Sequence, residues 1–237
     1  MATNVVRSLK ANRRRGKDRQ AERRQNGKLV VGVDIPTPAE IDAILGAVEG
    51  RWRPLLLVAI RCGLRASELR GLRWEDVDFK RGELHVRQRA DKYNAIGRPK
   101  SDAGDRTVPI PPSTVNALRE WRLACPKGEL GLVFPNGAGN VESHPNIVQR
   151  GLAPTLVKAG VVDAKGDAKY TGLHALRHYF ASWCINRKAD GGLELPLKVV
   201  QARLGHSSIT LTADRYAHLF PRGDDSAELA AAEGRNG

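Results

Sequence analysis

Between His174 and Tyr216 the chain gathers side chains suited to phosphate chemistry. The stretch reads HALRHYFASWCIN, a short variable loop, then LKVVQARLGHSSITLTADRYAHLF. His174 and Arg177 stand three apart and His178 follows directly. Positions i, i+3 and i+4 of a helix share a face, so these three would project one way. Arginine is a planar, bidentate partner for phosphate that keeps its charge. His206 follows a Leu-Gly turn, and Tyr216, ten residues beyond it, carries a hydroxyl that could act as a nucleophile. Arg65 lies far upstream, where a short helix begins beside an apolar one that would hold its guanidinium still. Glu68, three residues on, would be either a surface ion-pair partner or a group that orients this clamp.

Several elements must position these groups. Leu173, Leu176, Phe180 and Trp183 recur at helical spacing and give the His174 helix a buried side. Thr37 with Glu40 three residues on is a capping-box signature, so TPAEIDAILGAV reads as a helix. Pro54 opens PLLLVAIRCG, apolar almost all round and therefore buried, with Gly63 at its end. A short helix over Ala66 to Leu72 follows. From Val77 to Pro111 the runs DVDF, GELHVRQRA and DRTVPIP alternate between turn residues, which predicts a small three-stranded antiparallel sheet. Further on, the pattern predicts a helix over Ser113 to Leu123, then a short strand and Gly-rich turn over 131–140. A helix over Ser143 to Ala159, a loop over 160–172 and a helix over Leu195 to Leu204 ended by Gly205 come next. The Ala-rich segment 224–233 reads as a last short helix. The fold class is α+β, mainly α.

Composition narrows the partners. The 237 residues carry a net charge of +13, with a sequence pI of about 10.1. That balance favours a polyanion, nucleic acid first. Residues 1–34 hold ten Lys or Arg against Asp18, Glu22 and Asp34, with almost no apolar residue in NRRRGKDRQAERRQNGK. Such a segment is a solvated tail or an arm that tracks phosphates. There is no apolar run of membrane-spanning length and no signal-peptide core, so a cytoplasmic protein with no membrane partner is expected. Cys62, Cys125 and Cys184 are widely spaced and odd in number, and read as reduced core thiols rather than disulfides or metal ligands. His174, His178 and His206 could in principle chelate a metal, but Arg177 between the first two would repel a cation and no acidic companion stands nearby.

HALRH followed by LGHSSITLTADRY resembles the tyrosine recombinases, or phage integrases. CGLRASELRGLRWEDVDF (62–79) looks like that family's first arginine motif, and RPKSDAGDRTVPIP (98–111) like its lysine-bearing hairpin. The resemblance runs from about Thr37 to about Phe220. It implies the recombinase catalytic fold over residues 35–237, with 1–34 as the end of an amino-terminal core-binding domain plus a linker. It also implies site-specific recombination of double-stranded DNA attachment sites by a homo-tetramer on DNA, in the nucleoid, for a phage or mobile element. No metal or cofactor is needed. By the same resemblance Tyr216 is the nucleophile that forms a 3′-phosphotyrosyl link, and Arg65 and Arg177 hold the scissile phosphate. Lys100, in the connection between the second and third strands, is the general acid; from the residues alone it could as well be an ordinary loop lysine. His174 is a base or phosphate donor and His206 a phosphate donor, with Glu68 and His178 in support. His178 is expected mainly to support its helix. The alternatives are a DNA-binding remnant that no longer recombines and a topoisomerase with the same tyrosine chemistry.

Overall fold

The computed structural model describes residues 28–220 and Glu233. Residues 1–27 of the expected basic segment and nearly all of the helix expected over 224–233 lie outside these residues.

Helix α1 (Pro38–Ala47) begins as its sequence predicts. Glu40 N donates to Thr37 Oγ1 and Thr37 N donates to the Glu40 carboxylate, so two otherwise orphaned amides are satisfied reciprocally. Helix α2 (Trp52–Cys62) is the apolar centre: Leu55, Leu56, Val58, Ala59 and Ile60 are all buried. It ends at Gly63 in the left-handed region, φ 61°. A Cβ there would stand 2.2 Å from a ring carbon of Phe180, so glycine is required by both conformation and space. The chain turns at once into α3 (Ala66–Gly71), and this turn is what places Arg65 beside the end of α2.

Strands β1 (Val77–Asp78), β2 (Glu83–Val86) and β5 (Arg106–Pro109) form the expected antiparallel sheet in the order β1-β2-β5. Leu84 is paired with both Val77 and Val108. Leu84, Val86 and Val108 point into the core, while their sequence neighbours face outward, as the two-residue period of a half-buried sheet requires. The connection between β2 and β5 holds a second small hairpin, β3 (Arg89–Ala90) with β4 (Ile96–Gly97). It lies against α3, where a Cβ on Gly71 would come within 2.8 Å of the Arg89 backbone.

Helix α4 (Pro112–Ala124) follows. The strand expected over 131–140 is reduced to isolated bridges, Arg73 to Leu132 and Pro135 to Val141. The helix expected over Ser143 to Ala159 is continuous in path but not in type. Helix α5 (His144–Asn146) runs through a π-helical stretch, Ile147–Leu152, into α6 (Ala153–Lys158). Pro154 accounts for this: it has no N–H for a bond to residue 150 and its ring would clash there, and a wider turn relieves both. Gly151 in the same turn lies against the Trp52 ring, where a Cβ would be 2.8 Å away.

Helix α7 (His174–Ile185) packs on α2. Helix α8 (Leu197–Leu204) starts two residues later than its apolar pattern suggests, because Leu195 precedes Pro196 and is held out of the helical region. Gly205, φ 65°, ends it. Ser208 then caps α9 (Ile209–Tyr216), its hydroxyl accepting from Thr210 N. Among the described residues no helix is long and apolar enough to cross a membrane.

Candidate active site

Helix α7, the end of α2 and the α8–α9 turn converge around Glu68. This carboxylate is 3% exposed and sits among three arginines. Arg65 donates to one of its oxygens at 2.7 Å, and Arg106 donates to both, at 3.1 and 2.9 Å. Arg177 Nη1 is 4.0 Å away. Burial alone would push the Glu68 carboxyl up. The Arg106 hydrogen bond and charge, then the charges of Arg177 and Arg65, outweigh this and bring it down to about 2.

Backbone carbonyls at helix ends hold the remaining guanidinium faces. Arg65 Nη2 donates to Gly205 O, Arg106 Nε to Arg203 O, and Arg177 to Gly63 O and Leu204 O. Gly63 follows α2, and Leu204 and Gly205 close α8, so these carbonyls belong to the electronegative ends of two helices. Gly205 itself stands 2.7 Å, measured from its would-be Cβ, from Arg106 Nη1, which leaves no room for a side chain. Burial and then the charge of Arg65 pull the Arg177 pKa down to about 9, still charged at neutral pH.

Arg65, His174, Arg177, His178, His206 and Tyr216 surround one cavity of about 210 Å³, together with Leu211 and Arg215. Tyr216 ends α9 with 1% exposure. Its hydroxyl lies 2.7 Å from His178 Nδ1, and its ring stacks nearly parallel on His206, 8° between planes at 6.4 Å. Burial pushes the Tyr216 phenol up, offset in part by Arg177, Arg215 and Arg65. His206 Nδ1 is fixed at 2.9 Å by Thr212 Oγ1, while its carbonyl accepts from Gln201 Nε2. Burial, then the charges around them, lower both His178 and His206 to about 4, so each is a neutral imidazole at pH 7. His174 is lowered as well, by partial burial and then by Arg177.

Lys100 does not line this cavity. It is exposed on the β4–β5 connection and lines an adjoining cleft of about 740 Å³, which Arg65 and His174 also line. The two spaces therefore meet at Arg65 and His174. Among the described residues no group of three or more His, Cys, Asp or Glu is placed to hold a metal ion.

Two features of the site were not foreseen from sequence. Arg106 is the strongest partner of Glu68, yet nothing in DRTVPIP separates it from the chain's other 38 Lys and Arg residues. His178 touches Tyr216, a contact across 38 residues that helical spacing does not reveal.

Residues 36–222 match the model of the Phage integrase family, and the chain belongs to that family. It is 32% identical over 220 residues to a tyrosine recombinase XerC-like protein of Caldanaerobacter subterraneus subsp. tengcongensis, across 82% of this chain and 53% of that protein. It is 35% identical over 187 residues to tyrosine recombinase XerC of Xanthomonas axonopodis pv. citri, across 79% and 50%. The chain thus spans about half the length of the curated relatives it matches. The Tn1549 transposon integrase, solved in complex with a circular intermediate DNA, shares the fold. It aligns with a TM-score of 0.65 at 22% identity, over 84% of this chain and 65% of that one.

Proposed function

We propose that the chain is the DNA-cleaving part of a site-specific recombinase that cuts and rejoins strands through Tyr216. The observation that carries this reading is the placement of the Tyr216 hydroxyl in one cavity with Arg65, Arg177 and His206, all from one chain. A phosphodiester is anionic and a poor electrophile. Attack by Tyr216 places further negative charge on the non-bridging oxygens, and two fixed guanidiniums oppose that charge without reorganising. His206, its Nδ1 committed to Thr212, offers its other ring nitrogen to a phosphate oxygen. His174, on the shared wall of cavity and cleft, is a second donor. Lys100 protonates the departing 5′ oxygen. The product is a 3′-phosphotyrosyl link that conserves the phosphodiester's bond energy, and a 5′ hydroxyl from another strand reverses the reaction without ATP.

The partner is double-stranded DNA, bound by a chain of net charge +13. The active assembly is a homo-tetramer that joins two duplexes in the cytoplasm, on the nucleoid. A pool of nicked duplexes with randomised sequence beside the nick, incubated with the protein in chelator, tests this on a denaturing gel. A slow-migrating covalent adduct that is lost in Tyr216→Phe is the expected result. An adduct that persists in Tyr216→Phe removes the reading.

A further inference from the structure

The buried hydroxyl of Tyr216 needs somewhere to send its proton, and the helix that carries Arg177 supplies the acceptor. We propose that His178 is the proton acceptor for Tyr216, its Nδ1 taking the hydroxyl proton as the bond from the tyrosine oxygen to phosphorus forms. This rests on Tyr216 being the nucleophile, as proposed above.

The geometry singles out His178 among the three histidines of the cavity. Its Nδ1 is 2.7 Å from the phenol oxygen, the two rings inclined at 57°, within the range of an O–H···N bond. The His206 ring runs parallel to the Tyr216 ring but offset, 6.4 Å between centroids, and its Nδ1 is engaged by Thr212. The His174 ring is edge-on to His178, 6.3 Å between centroids, on the side of the cleft that Lys100 lines. His178 is 9% exposed and Tyr216 1%, so bulk water is a poor alternative acceptor. The charged groups that face His178 are Arg215 on α9, His174 and Arg177 on its own helix, and Asp34 before α1. Those facing Tyr216 are Arg177, Arg215 and Arg65. Burial first, then the charges of Arg215 and Arg177, outweigh Asp34 and keep the imidazole neutral at pH 7, and a neutral imidazole with its proton on Nε2 has Nδ1 open to accept.

The step balances within the site. The Tyr216 O–H bond breaks and its proton goes to Nδ1, giving an imidazolium. The O–P bond forms, and the P–O5′ bond breaks with its electron pair on oxygen, which takes a proton from Lys100. In rejoining, the incoming 5′ hydroxyl gives a proton to neutral Lys100 and the departing tyrosine oxygen recovers its own from His178. An anionic phosphodiester seated by Arg65 and Arg177 lowers the local positive potential and so raises the basicity of His178 when it is needed.

Single-turnover cleavage of a nicked duplex, followed from pH 6 to 9 in wild type, His178→Asn and His178→Phe, tests the proposal. Asparagine sets an amide near the position of Nδ1 and can hold the phenol, but it cannot accept the proton. Cleavage by His178→Asn should be slower by about 10²–10³-fold at pH 7. Its rate should then climb about tenfold per pH unit as hydroxide replaces the imidazole, while wild type stays flat. A rate within threefold of wild type, or a large loss with a flat profile, overturns the proposal. A second measurement needs no variant of His178 to fold and no cleavage: the ¹³Cζ resonance of Tyr216, assigned with Tyr216→Phe, followed in wild type as pH falls from 7. It should move as His178 takes up a proton in acid, and an unmoved resonance overturns the contact. The two failures are separable. No adduct from wild type sinks the recombinase reading and this proposal with it, whereas a normal adduct from His178→Asn sinks this proposal alone.

Discussion

Replacing Glu68 by glutamine keeps the shape of the site and removes the one negative charge among three arginines. The wild-type carboxyl is held at about 2 against an ordinary value of 4.5. At about 1.4 kcal/mol per pH unit, the arginines stabilise the folded carboxylate by about 3 kcal/mol over its acid. The group is 3% exposed, so little of this is lost to solvent screening. Glutamine can satisfy at most part of the four donors that now converge on the carboxylate, the Arg65 backbone N–H among them, and it leaves Arg106, itself buried, without a counter-charge. Urea unfolding at pH 7 should therefore show Glu68→Gln about 3 kcal/mol less stable, or roughly 6–12 °C lower in Tm for a domain of this size. The sign fixes the pH window. A carboxyl depressed on folding contributes fully above 4.5, and its contribution fades as pH falls towards 2. The gap between wild type and variant should stay constant from pH 8 to 5 and shrink to about half by about pH 3. A gap under about 1 kcal/mol at pH 7, or one that does not narrow in acid, refutes the argument that Glu68 is the electrostatic anchor of the site.

Three further outcomes are expected. Gly63→Ala should cost about 2–4 kcal/mol in unfolding free energy, since the new methyl meets the Phe180 ring in a left-handed conformation, and a near-neutral result would show that α7 can shift away. Arg106→Ala should lose about 1.5–3 kcal/mol by removing two charge-assisted hydrogen bonds from Glu68, which keeps Arg65 and the more distant Arg177, and thermal melts of Arg106→Ala, Glu68→Gln and the double variant should be strongly non-additive. His178 and His206 are neutral down to about 4 in the folded state but protonate near 6.5 when unfolded, so wild-type stability should already decline between pH 6.5 and 4, before Glu68 titrates. A chemical-denaturation midpoint that is level across that interval would contradict their burial as neutral groups.

How much of this was readable in the chain depended on range. The Thr37–Glu40 capping box, the glycines that end α2 and α8, the apolar side of α7 and the three-stranded sheet are local signals, and the structure carries each of them. The β3–β4 hairpin was missed because two-residue strands are too short for alternation to register. The π-helical turn at Ile147–Leu152 arises where Pro154 meets an otherwise helical run, and a sequence pattern reports the run but not the widened turn. The site divides in the same way. Arg65, Arg177 and Tyr216 announce themselves through motif spacing. Arg106 and the His178–Tyr216 contact exist only because β5 and α9 are folded onto α3 and α7, and no short window of sequence contains both partners.

The way the arginines are held sets a charge count. Apart from Glu68, the groups that grip Arg65, Arg106 and Arg177 are mainly neutral carbonyls, which orient a guanidinium without cancelling it. Within this cluster three cations against one carboxylate leave two positive charges uncompensated, and Arg215 adds another in the cavity wall. A phosphodiester in its ground state brings only one negative charge, whereas the five-coordinate phosphorus species that forms on attack brings two. Because the Tyr216 proton stays in the pocket on His178, attack leaves the net charge unchanged but moves negative charge onto the oxygens that face Arg65 and Arg177, which is where the uncompensated positive charge lies. Such a site discriminates by where charge sits: a trigonal-bipyramidal mimic such as a vanadate ester, which crowds negative charge onto oxygens beside Arg65 and Arg177, should be held more tightly than the phosphodiester it imitates.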